Sequence, residues 1–235
     1  MAMPHRKRLG MTTAIADTAA PSSVVSALYL GTKTLHTEAE RSGIIRDLLR
    51  GEASRDGYIL LQRNLLPAYR ALEAGLERHR DAPGLAALAA YRLDRAPALQ
   101  ADLVALCGGD FAGVPLLPAG EAYAKRIEEA AQGDGGRLIA HAYTRYLGDL
   151  SGGQILKRLL AKKPGLQPDE LSFYDFPEHA DLAALKADYR GALDQAGTQA
   201  ADPQAIVDEG LLAFSLNIDL SWAVQNALQP AAAAE

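Results

Sequence analysis

The stretch Ala142-Tyr-Thr-Arg-Tyr-Leu-Gly-Asp-Leu-Ser-Gly-Gly-Gln154 interrupts what otherwise reads as one long helix over about residues 136–163. Its three glycines forfeit roughly 3 kcal/mol of helix propensity relative to alanine. Gly148 and Gly152 are four residues apart and share a helix face, where the missing side chains leave a smooth wall. The pattern predicts that a flat ligand closely approaches this backbone.

Composition places the chain among globular proteins. It has 235 residues, of which 49% are hydrophobic, and its net charge of −5 argues against nucleic-acid binding. Its apolar runs fall short of the ~20 residues that span a bilayer, so no membrane anchor is expected. The single cysteine, Cys107, follows an apolar run and is predicted to be a buried core thiol.

Helical periodicity dominates the sequence and predicts an all-α fold. A single helical domain is expected over residues 21–228, between a disordered tail at 1–20 and a short tail at 229–235. A kink is expected at Pro67, inside the third helix. The predicted helices cover residues 21–40, 44–49, 54–79, 84–91, 96–107, 120–131, 136–163, 181–195 and 203–227.

Two functional classes are excluded by missing residues. Leu150-Ser-Gly-Gly-Gln154 resembles the signature of ATP-binding-cassette ATPases, but the sequence has no Gly-Lys dipeptide from which to build a phosphate-binding loop. A di-iron carboxylate bundle needs Glu-x-x-His pairs, and none of the five histidines has a glutamate three residues before it. A bound metal would therefore need only one protein ligand.

Haem fits that requirement, because the porphyrin brings four nitrogens and asks the protein for one axial imidazole. His36 is the best candidate, since Tyr29, Thr32, His36 and Glu40 form one polar-edged stripe on the first helix. The alternative for His36 is a solvated side chain paired with Glu40.

At this point the residues resemble a known family, the haem oxygenases that produce biliverdin. The resemblance rests on the stretch Arg145–Gln154 together with Leu35-His-Thr-Glu-Ala-Glu40 upstream, and it extends over most of the chain. Further matches occur in the family's order: Arg55-Asp-Gly-Tyr58, Tyr69, Tyr123-Ala-Lys-Arg126, Lys186 with Tyr189-Arg190, and Phe214-Ser-Leu-Asn217.

The resemblance implies roles for the two faces of the haem. His36 is the axial iron ligand, and Glu40 orients it. On the distal face, Gly148 and Gly152 contact haem and oxygen through their backbone. Asp149 points about 100° around the helix from Gly148 and holds a water network that supplies protons. Four other residues match this distal network: Arg145, Tyr69, Tyr123 and Asn217. For Arg145 an ordinary salt bridge to Asp149 is an additional interpretation.

The two haem propionates need cations or hydroxyls. Lys186 and Arg190 match the family's propionate-binding residues, and Tyr143 is a hydroxyl partner. Many relatives carry a lysine two turns before the axial histidine; Tyr29 stands there in this chain, and Lys33 is the candidate substitute. Thr32, Ser151 and Phe214 complete the expected haem contacts.

The implied reaction cleaves haem, which is both substrate and cofactor, with O2 and externally supplied electrons to biliverdin, CO and ferrous iron. The sequence has no Gly-x-Gly-x-x-Gly fingerprint, so a ferredoxin or a flavin reductase is the expected electron donor. Its expected docking residues are basic: Lys157, Arg158, Lys162, Lys163, Lys186 and Arg190. The expected location is the cytoplasm of a bacterium or, less favoured, the plastid stroma.

Two alternatives to this function remain at the level of sequence. A haem-binding or haem-sensing protein of the same fold could lack oxygenase activity, although the presence of Asp149 argues against it. A thiaminase-like helical enzyme would need a nucleophilic cysteine, and Cys107 in its apolar run is poorly suited to that role.

Overall fold

The computed structural model describes residues 23–163 and 165–229, and within these ranges it contains helices, turns and loops without a β-strand. The predicted tail at residues 1–20 lies outside the described residues, as do residues 230–235 of the predicted tail at 229–235 and Pro21, where the first helix was expected to open. The α-helices are α1 (Val24–Arg41), α2 (Gly43–Arg50), α3 (Arg55–Arg78), α4 (Ala86–Ala89), α5 (Ala96–Cys107), α6 (Pro118–Ala130), α7 (Leu138–Ala142), α8 (Gln154–Leu160), α9 (Leu182–Thr198) and α10 (Pro203–Ala227).

Side-chain caps explain where several helices begin. Ser23 accepts a hydrogen bond from the Ser26 amide at the start of α1, and Asp181 caps α9 in the same way. Pro118 opens α6 because a first-turn residue needs no amide donor. The predicted helix boundaries therefore agree with the structure to within a few residues for most helices.

The predicted helix at residues 84–91 is wrong in length, because only α4 forms there. Gly84 adopts a φ of +89° just before it, and Arg92 adopts a φ of 48° just after it. These left-handed conformations stop an α-helix in both directions. By contrast, α3 continues through Pro67 over its full length.

The core is built around α3, which packs against α5, α6 and α10. Its inward side chains Tyr58, Leu66, Tyr69 and Leu72 are completely buried. Cys107, expected to be fully buried, is only partly buried at the end of α5 and packs against the edge of this core. The aromatic residue Tyr69 thus reaches the centre of the molecule from the middle of a long helix.

The helix predicted at residues 136–163 is helical but not uniformly α-helical. Between α7 and α8 lie two π-helical turns, Tyr143–Leu147 and Asp149–Gly153, which flank Gly148. We call residues 143–153 the π-helical segment. A π turn is rare, and it is found mostly as a single turn at functional sites. The interruption that the glycines predicted is therefore a change in hydrogen-bond pattern.

α1 and the π-helical segment share two packing partners. α1 packs against α9 and α10, and the first turn of the π-helical segment packs against the same two helices. α1 and the π-helical segment therefore lie against the same pair of helices, and we call the space between them the cleft and the two elements its walls. Among the described helices, none has the combined length and hydrophobicity of a bilayer-crossing segment.

Candidate haem site

Five polar side chains from four elements form a connected hydrogen-bond chain, which we call the Asp149 network. Tyr69 donates its hydroxyl proton to Asp149 Oδ2 at 2.7 Å, and Arg145 Nε donates to the same hydroxyl oxygen at 3.0 Å. Arg145 Nη1 also donates to Asn217 Oδ1. Asn217 Nδ2 in turn donates to the Tyr123 hydroxyl at 3.0 Å. All five sequence-predicted distal residues therefore meet in one place.

Burial gives the Asp149 network its electrostatic character. Asp149 is only 4% exposed, and this burial raises the pKa of its carboxyl group although Arg145 and the Tyr69 hydroxyl oppose the change. Burial also raises the pKa of Tyr69 well above its ordinary value. Arg145 stays charged, because Tyr69, Tyr123 and Asp149 outweigh the effect of burial and raise its pKa. Asp149, Tyr69 and Tyr123 are thus shielded from bulk water, whereas Arg145 and Asn217 are partly exposed.

The i, i+4 salt bridge considered from sequence is present but loose. Arg145 Nη2 lies 3.8 Å from Asp149 Oδ1, and both side chains are largely buried. The shorter contacts of Arg145 go to Tyr69 and Asn217. The guanidinium therefore joins separate helices as well as neighbouring turns.

Two of the three glycines of the π-helical segment face open space beside this network. A methyl group placed on Gly148 or on Gly152 would meet no atom within 4 Å, apart from the helix's own nearby backbone. A methyl group on Gly153 would instead lie 3.3 Å from Tyr174 Cδ1. Gly148 and Gly152 are exposed while their neighbour Asp149 is buried, so one face is bare backbone and the other carries the carboxylate.

His36 lies on the facing helix α1 with its imidazole accessible. Its side chain is 60% exposed, and its Nδ1 is 3.6 Å from Glu40 Oε1, which leaves Nε2 available. The ring of Phe214 from α10 lies 5.7 Å away between centroids. Thr32, one turn earlier, is buried and donates to the Leu28 carbonyl at 2.7 Å. A single imidazole thus projects from one wall of the cleft and bare glycine backbone forms the other.

Several of the predicted propionate-binding residues gather at one end of this cleft. Burial raises the pKa of Tyr143, while the Arg190 charge and the Thr32 side chain lower it and Tyr29 raises it, so the four side chains are close neighbours. Lys186 is half-buried on α9, one turn before Arg190. Cationic and hydroxyl groups therefore meet where a carboxylate could bind.

Comparisons with known proteins agree with this arrangement. A family model described as Heme oxygenase matches residues 22–223. The chain belongs to the haem oxygenase family. Among its relatives, Heme oxygenase 1 of Nostoc sp. is 38% identical over 85% of this chain and 84% of its own, and human Heme oxygenase 1 is 37% identical over 88% and 74%.

Solved structures of haem oxygenases share the fold. Heme oxygenase-1 from Synechocystis sp., crystallised in complex with heme, matches with a TM-score of 0.80 at 33% identity, covering 88% of this chain and 94% of that one. Heme oxygenase from Leptospira interrogans matches with the same score and identity over 85% and 98%. The predictions of an all-α haem oxygenase fold and of a haem-degrading enzyme are thereby confirmed.

The haem contacts predicted for Lys33 and Ser151 of this haem oxygenase chain stay predictions. Lys33, the candidate substitute for the usual lysine, lines a surface groove with Arg41 and Trp222. Tyr29 is the residue that comes near Tyr143. Ser151 is half-buried within the second π turn. Its role stays a prediction.

Two features in and beside the candidate site had no sequence-based assignment. Gln154 Nε2 donates to the Tyr174 carbonyl at 2.9 Å and so ties the end of the π-helical segment to a neighbouring loop. A second buried polar cluster joins Arg126, His141 and Glu209. Arg126 belongs to a quoted motif, but no pattern in the sequence pairs residues 126, 141 and 209, because three separate helices bring them together.

Proposed function

We propose that this chain binds haem between α1 and the π-helical segment and cleaves it with O2 to biliverdin, CO and ferrous iron. The observation that carries the proposal is the bare backbone of Gly148 and Gly152, which borders open space directly beside the buried carboxylate of Asp149. A flat macrocycle fits against a wall without side chains. A proton-holding group just behind that wall suits a reaction that consumes protons.

In this proposal His36 would hold the haem by binding its iron through the imidazole. The Nδ1 atom of His36 faces Glu40, so that Glu40 can hold the ring in one tautomer with Nε2 free. Bound haem supplies the redox-active iron and the porphyrin carbon that is oxidised. Resonance Raman spectra of the haem complex should contain an iron–imidazole stretch that His36→Ala lacks; an unchanged stretch would exclude His36 as the ligand.

In this proposal the distal residues make room for the macrocycle, hold the Asp149 carboxylate in place and move protons. The backbone of Gly148 and Gly152 admits the macrocycle closely, whereas a larger residue at either position would intrude on it. Asp149 accepts from Tyr69 with one carboxylate oxygen, and we propose that the other binds water on the haem side. Arg145 keeps that carboxylate in place, and Asn217 connects Arg145 to Tyr123. These hydrogen bonds would form a path along which protons move between protein groups held in place by their partners.

The same proposal assigns the haem propionates to the end of the cleft near Tyr143. Arg190 and Lys186 would supply the charges, and the Tyr143 and Tyr29 hydroxyls would supply hydrogen bonds. A tyrosine at position 29 replaces an ionic contact by a neutral one.

Absorbance spectroscopy tests the function directly. Haem-loaded protein given a reductant and O2 should lose its Soret band and gain the broad red absorption of biliverdin. A Soret band that persists with a competent electron donor would overturn the oxygenase activity and favour a haem-binding protein. Haem-loaded protein kept under nitrogen is the control.

We further propose that an electron-transfer protein with an acidic surface, such as a ferredoxin or a flavin reductase, docks beside α8. Arg158 and Lys162 are exposed there, whereas Lys157 is paired with Asp175 and Lys163 donates to the Gly51 carbonyl. Reversing the charges of Arg158 and Lys162 should slow turnover driven by the protein donor but not turnover driven by ascorbate. Equal rates with the protein donor would exclude this surface. The cytoplasmic location stays a prediction.

A further inference from the structure

A second buried polar cluster lies next to the Asp149 network. Glu209 of α10 accepts from Arg126 Nε of α6 at 2.9 Å, and a second contact joins Arg126 Nη2 to the other carboxylate oxygen at 2.5 Å. Glu209 also receives His141 Nε2 of α7 at 2.8 Å. Glu209 is 2% exposed and His141 is 0% exposed. We call these three residues the Glu209 cluster.

The charges of the Glu209 cluster are well defined. Burial alone would raise the pKa of Glu209, but the hydrogen bonds from His141 and Arg126 overcome it and lower the pKa to about 2. Burial lowers the pKa of His141, so the imidazole is neutral and uses Nε2–H as the donor. The cluster is therefore one carboxylate held by one guanidinium and one neutral imidazole. Such charge-assisted hydrogen bonds depend steeply on distance and angle.

Each member of the Glu209 cluster shares its helical stretch with a member of the Asp149 network. Arg126 lies one turn after Tyr123 on α6, and His141 lies one turn before Arg145. Glu209 and Asn217 both lie on α10, and Asn217 donates at 2.9 Å to the carbonyl of Ala213, which is one turn after Glu209. The same three helical stretches are thus joined by two sets of polar contacts, the Glu209 cluster and, one to two turns along, the Asp149 network.

We infer that the Glu209 cluster is a positioning unit for the Asp149 network. By fixing the spacing of α6, α7 and α10, it sets the distances at which Tyr123, Arg145 and Asn217 meet. Apolar packing alone leaves room for small shifts of helices, whereas a buried carboxylate with partners on two other helices does not. The inference rests on the proposed role of the Asp149 network in proton delivery.

Glu209→Gln is the direct test, because it keeps the shape of the side chain and removes its charge. In haem-free protein, NMR should detect the Tyr123 hydroxyl proton and the Asn217 side-chain amide. We expect the hydroxyl proton to exchange with solvent about tenfold faster in Glu209→Gln, as for the loss of one charge-assisted hydrogen bond. Haem-loaded protein should keep its haem affinity while its rate of biliverdin formation falls.

Glu170→Gln is the matched control. Glu170 is also buried and also bonded to an arginine, Arg55, but it lies on none of the three helical stretches. It should leave the Tyr123 and Asn217 signals unchanged. Equal exchange rates in the two variants would show that Glu209 only stabilises the fold, and would overturn the inference.

Arg126→Lys provides a second variant should Glu209→Gln not fold. It keeps the positive charge and loses the paired contact, so the Tyr123 hydroxyl proton should exchange at a rate between those of the wild type and a fully loosened network. An exchange rate equal to the wild type would contradict the inference. Because the NMR measurement uses haem-free protein, its outcome is independent of whether the chain degrades haem.

Discussion

The two walls of the proposed haem cleft are built in opposite ways. The α1 wall is a regular, capped helix that offers one accessible imidazole, His36, which is paired weakly with the exposed Glu40. The opposite wall is a π-helical segment with bare glycines on its surface and a fully connected polar network behind it. The α1 wall contributes individual exposed side chains, whereas the opposite wall contributes a set of buried side chains that are hydrogen-bonded to one another.

This contrast separates two kinds of functional residue. A ligand on an exposed helix face can be replaced by a small molecule that reaches the same place. A buried network cannot be replaced in that way, because its properties come from burial and from partners on several helices. Chemical rescue should therefore work on the α1 wall and fail on the opposite one.

The largest expected effect is on the α1 wall. His36→Ala should reduce turnover by more than the roughly 10–100-fold that the loss of an outer-shell partner costs, because in the proposed site the iron would lose its protein ligand. Added imidazole should restore most of the activity, as measured by biliverdin formation. Glu40→Gln is the milder control. Full activity of His36→Ala without imidazole would remove the proposed role of this wall.

The next effect is on the opposite wall. Asp149→Ala should lower biliverdin formation by about 100-fold while haem affinity changes little, since a positioned proton-transfer group contributes at least that factor. Small carboxylates should not rescue it. Asp175→Ala, which removes a half-exposed carboxylate paired with Lys157, serves as the control. A normal biliverdin yield from Asp149→Ala would contradict the proton-delivery role.

A smaller change should follow from Tyr69→Phe, which removes the hydroxyl that bonds Asp149. That hydrogen bond lowers the pKa of Asp149 against the effect of burial, so its loss should raise the pKa. If turnover uses the ionised carboxylate, the acidic limb of the pH–rate profile should move to higher pH, and turnover should fall by about tenfold. Tyr91→Phe should leave the profile in place. An unmoved acidic limb in Tyr69→Phe would indicate that Asp149 does not titrate in the reaction.

The smallest effect concerns stability against acid. The pKa of Glu209 is lowered from 4.5 to about 2. The ionised Glu209 carboxylate therefore stabilises the folded protein fully above about pH 4.5, and this stabilisation is lost as the pH falls toward 2. Urea unfolding at a series of pH values should show this loss in the wild type and a flatter dependence in Glu209→Gln. The exposed Glu40 makes Glu40→Gln the comparison on the α1 wall. Identical pH dependence in Glu209→Gln and wild type would place the acid sensitivity elsewhere.

The helices could be predicted from the sequence because hydrophobic periodicity, prolines and capping residues act locally. It also identified Gly148 and Gly152, since glycines inside a helix contradict propensity, and the structure places both at an open surface. The members of the Asp149 network came from the family resemblance. No spacing rule could bring Tyr69, Tyr123 and Asn217 to Arg145, because their contacts cross between helices far apart in sequence.

The Glu209 cluster is a clearer case of contacts that the sequence does not predict. His141 lies in a buried apolar stretch, and Glu209 lies in a largely apolar helix, so each alone looks like a local exception. Their contact joins residues 68 positions apart. The left-handed residues around α4 were likewise missed, because Arg92 adopts a conformation that its residue type rarely favours.

The two π turns also indicate how insertions and deletions in the chain can create or remove such a wall. A π turn holds about one residue more than an α turn, so each can absorb a single inserted residue without turning the helix that follows. Losing one residue from Tyr143–Leu147 or from Asp149–Gly153 would therefore return that turn to α-helical geometry and leave α7 and α8 aligned. The π-helical geometry of this cleft wall can then be gained or lost by the insertion or deletion of single residues in an otherwise regular helix.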